Sequence, residues 1–244
     1  MSGHSHAKTV KSKKEAGAKK RSHIFSKMNR LITVAVRSGG PNPEINSKLR
    51  MAIESARSFN MPNDNIERAI KKASGEGGSE KLEEFVFEAY GPGNAALLIE
   101  GITNNKNRAL GEIKKILSQY NGKLVQEGAI KWMFERKGYA TIILEAQNEE
   151  LKDKEKLELT AIEAEAEDIV WNNNNLDVHT SIENLEKVKK NLEEKGIKIE
   201  SSGLEWKPKE EMDLDEKQKQ GCQKLFEALD ENDNVQDIYS NLKV

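Results

Sequence analysis

The sequence predicts an α+β protein of three domains: an N-terminal three-helix bundle followed by two small ferredoxin-like α/β domains, one inserted in the other. Two patterns lead to that reading. From Ile24 to Ala73 apolar residues recur every three or four positions in three separate blocks, the period of a helix face. Beyond residue 78, short apolar runs bounded by Gly, Pro and Asn alternate with helical blocks, and one complete α/β pattern sits inside another. The expected limits are 1–21 for a basic flexible arm, 22–77 for the helical bundle, 78–134 plus 205–244 for one α/β domain and 135–204 for the inserted one.

The first helix carries its stripe on Ile24, Phe25, Met28, Leu31, Ile32, Ala35 and Val36, and Ser38-Gly39-Gly40-Pro41 stops it. Asn42-Pro43 then offers a cap and a first-turn proline for a second helix, with Ile45, Leu49, Ala52, Ile53 and Ala56 as its buried face. Asn60-Met61-Pro62-Asn63 breaks the pattern, and a third short helix turns Ile66, Ala69, Ile70 and Ala73 inward before Gly75. Lys48, Arg50, Arg57, Arg68, Lys71 and Lys72 fall on the polar surface of this bundle.

In the remainder, residues 82–90 and 95–102 read as strands joined by the turn Gly91-Pro92-Gly93-Asn94. A helix capped at Asn104-Asn105 follows, with Leu110, Ile113, Ile116 and Leu117 inward and Asn121-Gly122 as its end. Residues 123–134 read as further strands. The nested unit is expected to contain a strand at 139–144, a long acidic helix at 149–167, a strand at 177–181, a helix at 182–195 and a strand at 197–200. Helix 214–230 and strand 235–239 return to complete the earlier domain.

Charge is divided as sharply as structure. Residues 1–72 hold 16 basic and 5 acidic side chains, whereas residues 73–244 hold 23 and 36, so a cationic head precedes an anionic body. Such a separation points the head at a polyanion. The arm interleaves Lys with Ala, Gly and Ser and has too few apolar groups to pack a core; its lysines suit phosphate contact, which releases counterions without reading bases. The phosphate-binding candidates are Lys8, Lys11, Lys13, Lys14, Lys19, Lys20, Arg21, Lys27, Arg30 and Arg37. A helix-turn-helix over helices two and three is disfavoured, since a Pro-containing connection replaces the tight glycine turn and no recognition helix stands out. One cysteine, Cys222, excludes an intrachain disulfide, and no stretch of eighteen apolar residues is present, so the chain reads as soluble and cytoplasmic.

Other motifs have ordinary explanations. Gly91-Pro92-Gly93 lies between strands and lacks a third glycine, so it is a turn and not a dinucleotide loop. Asn104 to Arg108 opens a helix where an anion could bind, but Asn capping is the commoner use. Glu163, Glu165, Glu167 and Asp168 form a solvated acidic face, and His4, His6 and His23 make no metal site. No nucleophile elbow, phosphate-binding Walker loop or His-Glu-x-x-His occurs, and the chain is expected to be no enzyme, with no catalytic residues, cofactor or metal.

Several strings resemble the YebC/PmpR family: Gly3-His4-Ser5, Lys19-Lys20-Arg21-Ser22-His23-Ile24-Phe25-Ser26-Lys27, Ala35-Val36-Arg37-Ser38-Gly39-Gly40, Asn60-Met61-Pro62-Asn63-Asp64-Asn65-Ile66, Tyr90-Gly91-Pro92-Gly93, Phe134-Glu135-Arg136-Lys137-Gly138 and Asn234-Val235-Gln236-Asp237-Ile238-Tyr239. The similarity runs almost end to end. One departure is His6-Ala7, where the family has Lys-Trp, which removes an aromatic able to stack on a base. The resemblance implies an N-terminal helical domain and two α/β domains, one inserted in the other. It also implies a regulator of gene expression, either a DNA-binding transcriptional regulator or, as for a mitochondrial relative that activates translation, a protein acting on messenger RNA or the ribosome. The expected partners are therefore DNA, or ribosomal or messenger RNA. The acidic domains would add the ribosome or a basic protein surface, and no membrane partner is expected.

Overall fold

The protein is described from a computed structural model that defines residues 18–75 and 81–243, with side chains from Lys20 onward. Lys8, Lys11, Lys13, Lys14, His4, His6 and the side chain of Lys19 lie outside the described residues.

Helix α1 (Ala18–Gly39) begins inside the stretch expected to be arm, because Ala18-Lys19-Lys20-Arg21 offers good helix formers and no breaker. It ends where Gly40, at φ +86°, donates its N–H to the Val36 carbonyl at 2.7 Å. Helix α2 (Ser47–Ser58) starts later than expected. Its cap is Asn46, not Asn42: the Asn46 side chain accepts from the Leu49 N–H and donates to the carbonyls of Ala35 and Gly40, lashing the end of α1 to the start of α2. Ile45 therefore precedes the helix and is 81% exposed, contrary to the buried role its spacing implied. Helix α3 (Asn63–Ser74) follows as predicted. Met28, Ile32, Leu49, Ala56, Met61 and Ile66 form the centre of this bundle. Full burial of Ile32 and Leu49 is worth about 1.5–3 kcal/mol for each side chain.

Strands β1 (Glu83–Tyr90) and β2 (Ala96–Thr103) form an antiparallel hairpin. Helix α4 (Lys106–Gln119) is capped by Asn105, and β3 (Lys123–Leu124) then pairs with the far side of β1. Only these two residues of the predicted 123–134 run are strand before β4 (Phe134–Ile143); the segment between is a loop held by side-chain bonds. Helix α5 (Lys154–Glu163), β5 (Asp168–Asn172), β6 (Asn175–Thr180), α6 (Leu185–Glu194) and β7 (Ser201–Pro208) come next, before α7 (Glu216–Asp230) and β8 (Val235–Ser240) close the chain. Strand β5 was not foreseen; Asn172 to Asn175 form the tight turn of a β5–β6 hairpin, with Asn173 at φ 56°. The expected long helix over 149–167 spans only Lys154–Glu163, and the strand expected at 197–200 lies instead at Ser201–Pro208.

The described residues therefore hold seven α-helices and two four-stranded sheets, an α+β protein. The second sheet, ordered β5-β6-β4-β7 with α5 and α6 as crossovers, has the βαββαβ connectivity of a ferredoxin-like unit. The first, ordered β3-β1-β2-β8, keeps the split β2-α4-β3 crossover but opens with a hairpin at the sheet centre. Residues 136–207 form one compact unit with a core of Ile142, Leu157, Ala161, Leu176, Val178 and Leu192. The helical bundle and the first sheet belong together in the other, where Phe85, Leu97, Ile99, Ile113, Leu117, Cys222 and Leu225 pack between the sheet and helices α4 and α7.

Candidate nucleic-acid interface

Helix α1 presents its cations in two directions. His23, Lys27 and Arg30 recur at spacings of four and three, which places them on one face. That face meets the turn after α7. His23 Nδ1 lies 3.0 Å from Asp233 Oδ1 and its Nε2 2.8 Å from the Asp230 carbonyl. Lys27 is 5% exposed, and its Nζ donates to the Asp230 carboxylate at 2.7 Å and the Asp230 carbonyl at 2.8 Å. Arg30 donates from Nη1 to the Ile102 carbonyl and to Asn234 Oδ1, both at 3.1 Å. Lys27 and Arg30, expected to meet phosphate, instead dock α1 on the α/β domain, because acidic and carbonyl oxygens of the 230–234 turn lie opposite them. His23 shares that task. The signal was present in the spacing, but a single chain does not announce which acids, two hundred residues away, will face it.

Asn234 is the other half of this joint. Its side chain also donates to Glu112 on α4, and its carbonyl accepts from the Ile102 N–H where a bulge interrupts the β2–β8 register at Glu100/Gly101. A Cβ on Gly101 would sit 2.2 Å from both that carbonyl and the Phe85 ring, so the glycine permits the close approach.

Arg50, expected on the polar surface, is half-buried and donates from Nη1 to the Pro43 carbonyl at 3.2 Å; the remaining cations of the bundle lie outward. Lys20, Arg21, Arg37, Lys48, Arg57, Arg68, Lys71 and Lys72 are exposed, Lys48 with its Nζ 3.3 Å from Glu84. Arg21, Ser22, Phe25, Ser26 and Asn29 line a shallow, open depression on α1, at the root of the arm. A guanidinium, two hydroxyls and an amide are the groups that bond phosphate and sugar oxygens.

The other sequence candidates have partners of their own. Asn105 accepts from the Arg108 N–H as a cap, and Arg108 donates to Asn104 and lies 3.8 Å from Glu112. In the inserted unit Glu163 pairs with Lys195, Glu165 with Lys187, Glu167 with Lys137 and Asp168 with Lys207. The lysines hold the Glu163 and Glu167 carboxyls below the usual range; for Asp168 burial is the largest single effect and opposes, but the bond and charge of Lys207 together with the Ile169 N–H outweigh it. The acidic stretch is thus a set of ion pairs. His179 is equally occupied, its Nε2 2.7 Å from buried Glu205. Among the described residues no group of three metal-ligating side chains converges, and no helix is long and apolar enough to cross a membrane.

Residues 5–76 match the TACO1/YebC protein N-terminal domain and residues 82–242 the TACO1/YebC second and third domain. The chain belongs to the TACO1/YebC family. A relative from Halothermothrix orenii is 44% identical over 245 residues, covering all of this chain and 96% of its own length, and one from Aquifex aeolicus is 42% identical with the same coverage. Both carry the description "probable transcriptional regulatory protein". The crystal structure of a conserved hypothetical protein, Aq1575 from Aquifex aeolicus, aligns with a TM-score of 0.83 at 41% identity, covering 91% of this chain and 90% of that one.

Proposed function

We propose that this protein is a non-enzymatic, cytoplasmic regulator of gene expression that binds nucleic acid, with DNA as the polymer. The observation that carries the reading is the outward set of cations on the bundle, which continues the charge of the arm onto folded structure after Lys27 and Arg30 are withdrawn into the joint. Lys8, Lys11, Lys13, Lys14, Lys19, Lys20, Arg21 and Arg37 are the phosphate contacts in this reading, with the depression beside Arg21 as the seat nearest the arm. The relatives' description as probable transcriptional regulators supports DNA.

Action on ribosomal or messenger RNA is the second reading. It is favoured by one specific feature, a tryptophan, Trp132, that is 67% exposed, since exposed aromatics serve unpaired bases rather than duplexes. A basic protein surface docked on the acidic domains is less well supported, because the acids at 163–168 already hold lysines.

Deleting residues 2–17 leaves α1 whole and removes four of the arm lysines. Affinity for nucleic acid should fall and the slope of log affinity against log salt should flatten; an unchanged slope would refute the arm's role. Crosslinking in cells with sequencing of bound DNA and RNA separates the readings. Clustered promoter fragments support transcription, and ribosomal or messenger reads replace it with translation.

A further inference from the structure

The loop between β3 and β4 is fixed along its length although it has almost no regular structure. Glu88, at the centre of β1 and 3% exposed, turns its carboxylate into this loop. There Oε1 accepts from the Gly128 N–H at 2.5 Å, and Oε2 accepts from Ile130 at 2.5 Å and Lys131 at 2.8 Å. Ile130 is fully buried, and Gly128, at φ +87°, makes the turn that brings three N–H groups onto one carboxylate. Downstream, the Met133 N–H donates to the Ile130 carbonyl and the Met133 carbonyl accepts from Lys209.

What this scaffold displays is Trp132. Its Nε1–H already donates to the Ala129 carbonyl at 3.0 Å, which sets the ring's orientation and occupies its polar edge. A rigid, largely exposed indole with its N–H satisfied is poor at hydrogen bonding and well suited to stacking. Exposed Lys131 precedes it in sequence, and exposed Lys209 is tied by its backbone to the residue that follows. An aromatic face accompanied by cations matches a nucleotide, whose base is planar and whose phosphates are anionic.

We propose that Trp132 is a stacking platform for an unpaired nucleobase, with Lys131 and Lys209 meeting the flanking phosphates of a single strand. This rests on the reading that the protein binds nucleic acid and names where a single strand, DNA or RNA, would be held. Bases of a duplex are already stacked on one another and gain nothing from the indole. Stacking of one base on an aromatic side chain changes affinity by about fivefold to a hundredfold.

The test uses the full chain with labelled oligouridine and oligoadenosine, the matching DNA strands and a duplex, followed by anisotropy and by intrinsic tryptophan emission. The other two tryptophans are less exposed, Trp171 bonded to Glu158 and Trp206 beneath the Arg136 guanidinium. Single strands should quench the emission and the duplex should not. Trp132→Ala should abolish the quench and weaken single-strand binding by at least fivefold with duplex affinity unchanged, while Trp132→Tyr should retain most of the affinity. Equal single-strand affinity in Trp132→Ala, with no quench in the unaltered protein, overturns the platform and leaves nucleic-acid binding standing. Failure of the unaltered protein to bind single strands or duplex at low salt overturns both.

Discussion

Lys27 grips Asp230 twice, its Nζ lying 2.7 Å from the carboxylate and 2.8 Å from the backbone carbonyl of the same residue. The lysine is nearly buried and the aspartate partly exposed, so this ion pair between helix α1 and the end of α7 is only partly open to solvent. Removing one member leaves the other charge with reduced solvation. Lys27→Ala should destabilise the protein by about 2–3 kcal/mol, below the cost of breaking a fully buried pair because Asp230 retains some solvent. Lys27→Met, combined with Asp230→Asn, should recover part of that loss. Urea denaturation checks the stabilities. Nucleic-acid affinity of the folded Lys27→Met/Asp230→Asn protein should stay within a factor of about two, since a lysine held in the joint makes no phosphate contact.

Gly101 stands where β2 bulges against the 230–234 turn. Gly101→Ala places a methyl group on backbone and ring atoms that cannot rotate away, and the expected loss is about 3 kcal/mol or more. Thermal unfolding of the purified variant measures it. A variant as stable as the parent would mean that the bulge relaxes freely.

Glu88 gives the protein an acid-sensitive element. Burial alone would raise its pKa, but the N–H groups of Gly128, Ile130 and Lys131, aided by the Lys131 charge, outweigh burial and hold it below the ordinary value of 4.5. A carboxyl depressed on folding adds stability that is complete above its unfolded pKa and is lost as pH falls through the folded one. Stability measured by denaturant should therefore drop as pH falls below about 4.5. Glu88→Gln should flatten that portion of the profile and cost about 1.5–3 kcal/mol at pH 7, because an amide cannot accept from all three donors as a carboxylate does. A profile of the same shape in Glu88→Gln would exclude this residue as its source.

Cys222 sits in the core beneath the turn at Pro92, with burial pushing its thiol up to about 11. Little thiolate is present at neutral pH and a reagent has no access to it. Alkylation of the native protein at pH 8 should be slow and should accelerate sharply in denaturant. Rapid stoichiometric labelling in buffer would show that the α7 packing opens readily.

Local chemistry set the elements that the sequence alone determined. The stripes at Ile24–Val36 and Ile66–Ala73, the Gly91-Pro92-Gly93-Asn94 turn and the Asn105 cap each depend on residues within a few positions of one another, and each element formed where its pattern lay; the stripe expected from Ile45 to Ala56 formed only from Leu49 onward. The nesting of one α/β unit within another was legible for the same reason, from the order of the patterns. Errors fell where contacts between segments decided the outcome. Asn42 was expected to cap the second helix, but Asn46, bonded to the end of α1, caps it instead. Residues 168–172 carried no expectation, and pairing with β6 makes them strand β5. Charge was the hardest case. Basic residues are visible in a sequence, but whether each one faces a phosphate or an aspartate depends on which carboxylates the fold brings opposite. Thus the excess of positive charge over residues 1–72 belonged to the sequence. Only tertiary structure divided it, turning Lys27 and Arg30 inward to Asp230 and Asn234, leaving Arg21 and Arg37 outward, and raising Trp132 on a loop that a buried glutamate holds rigid.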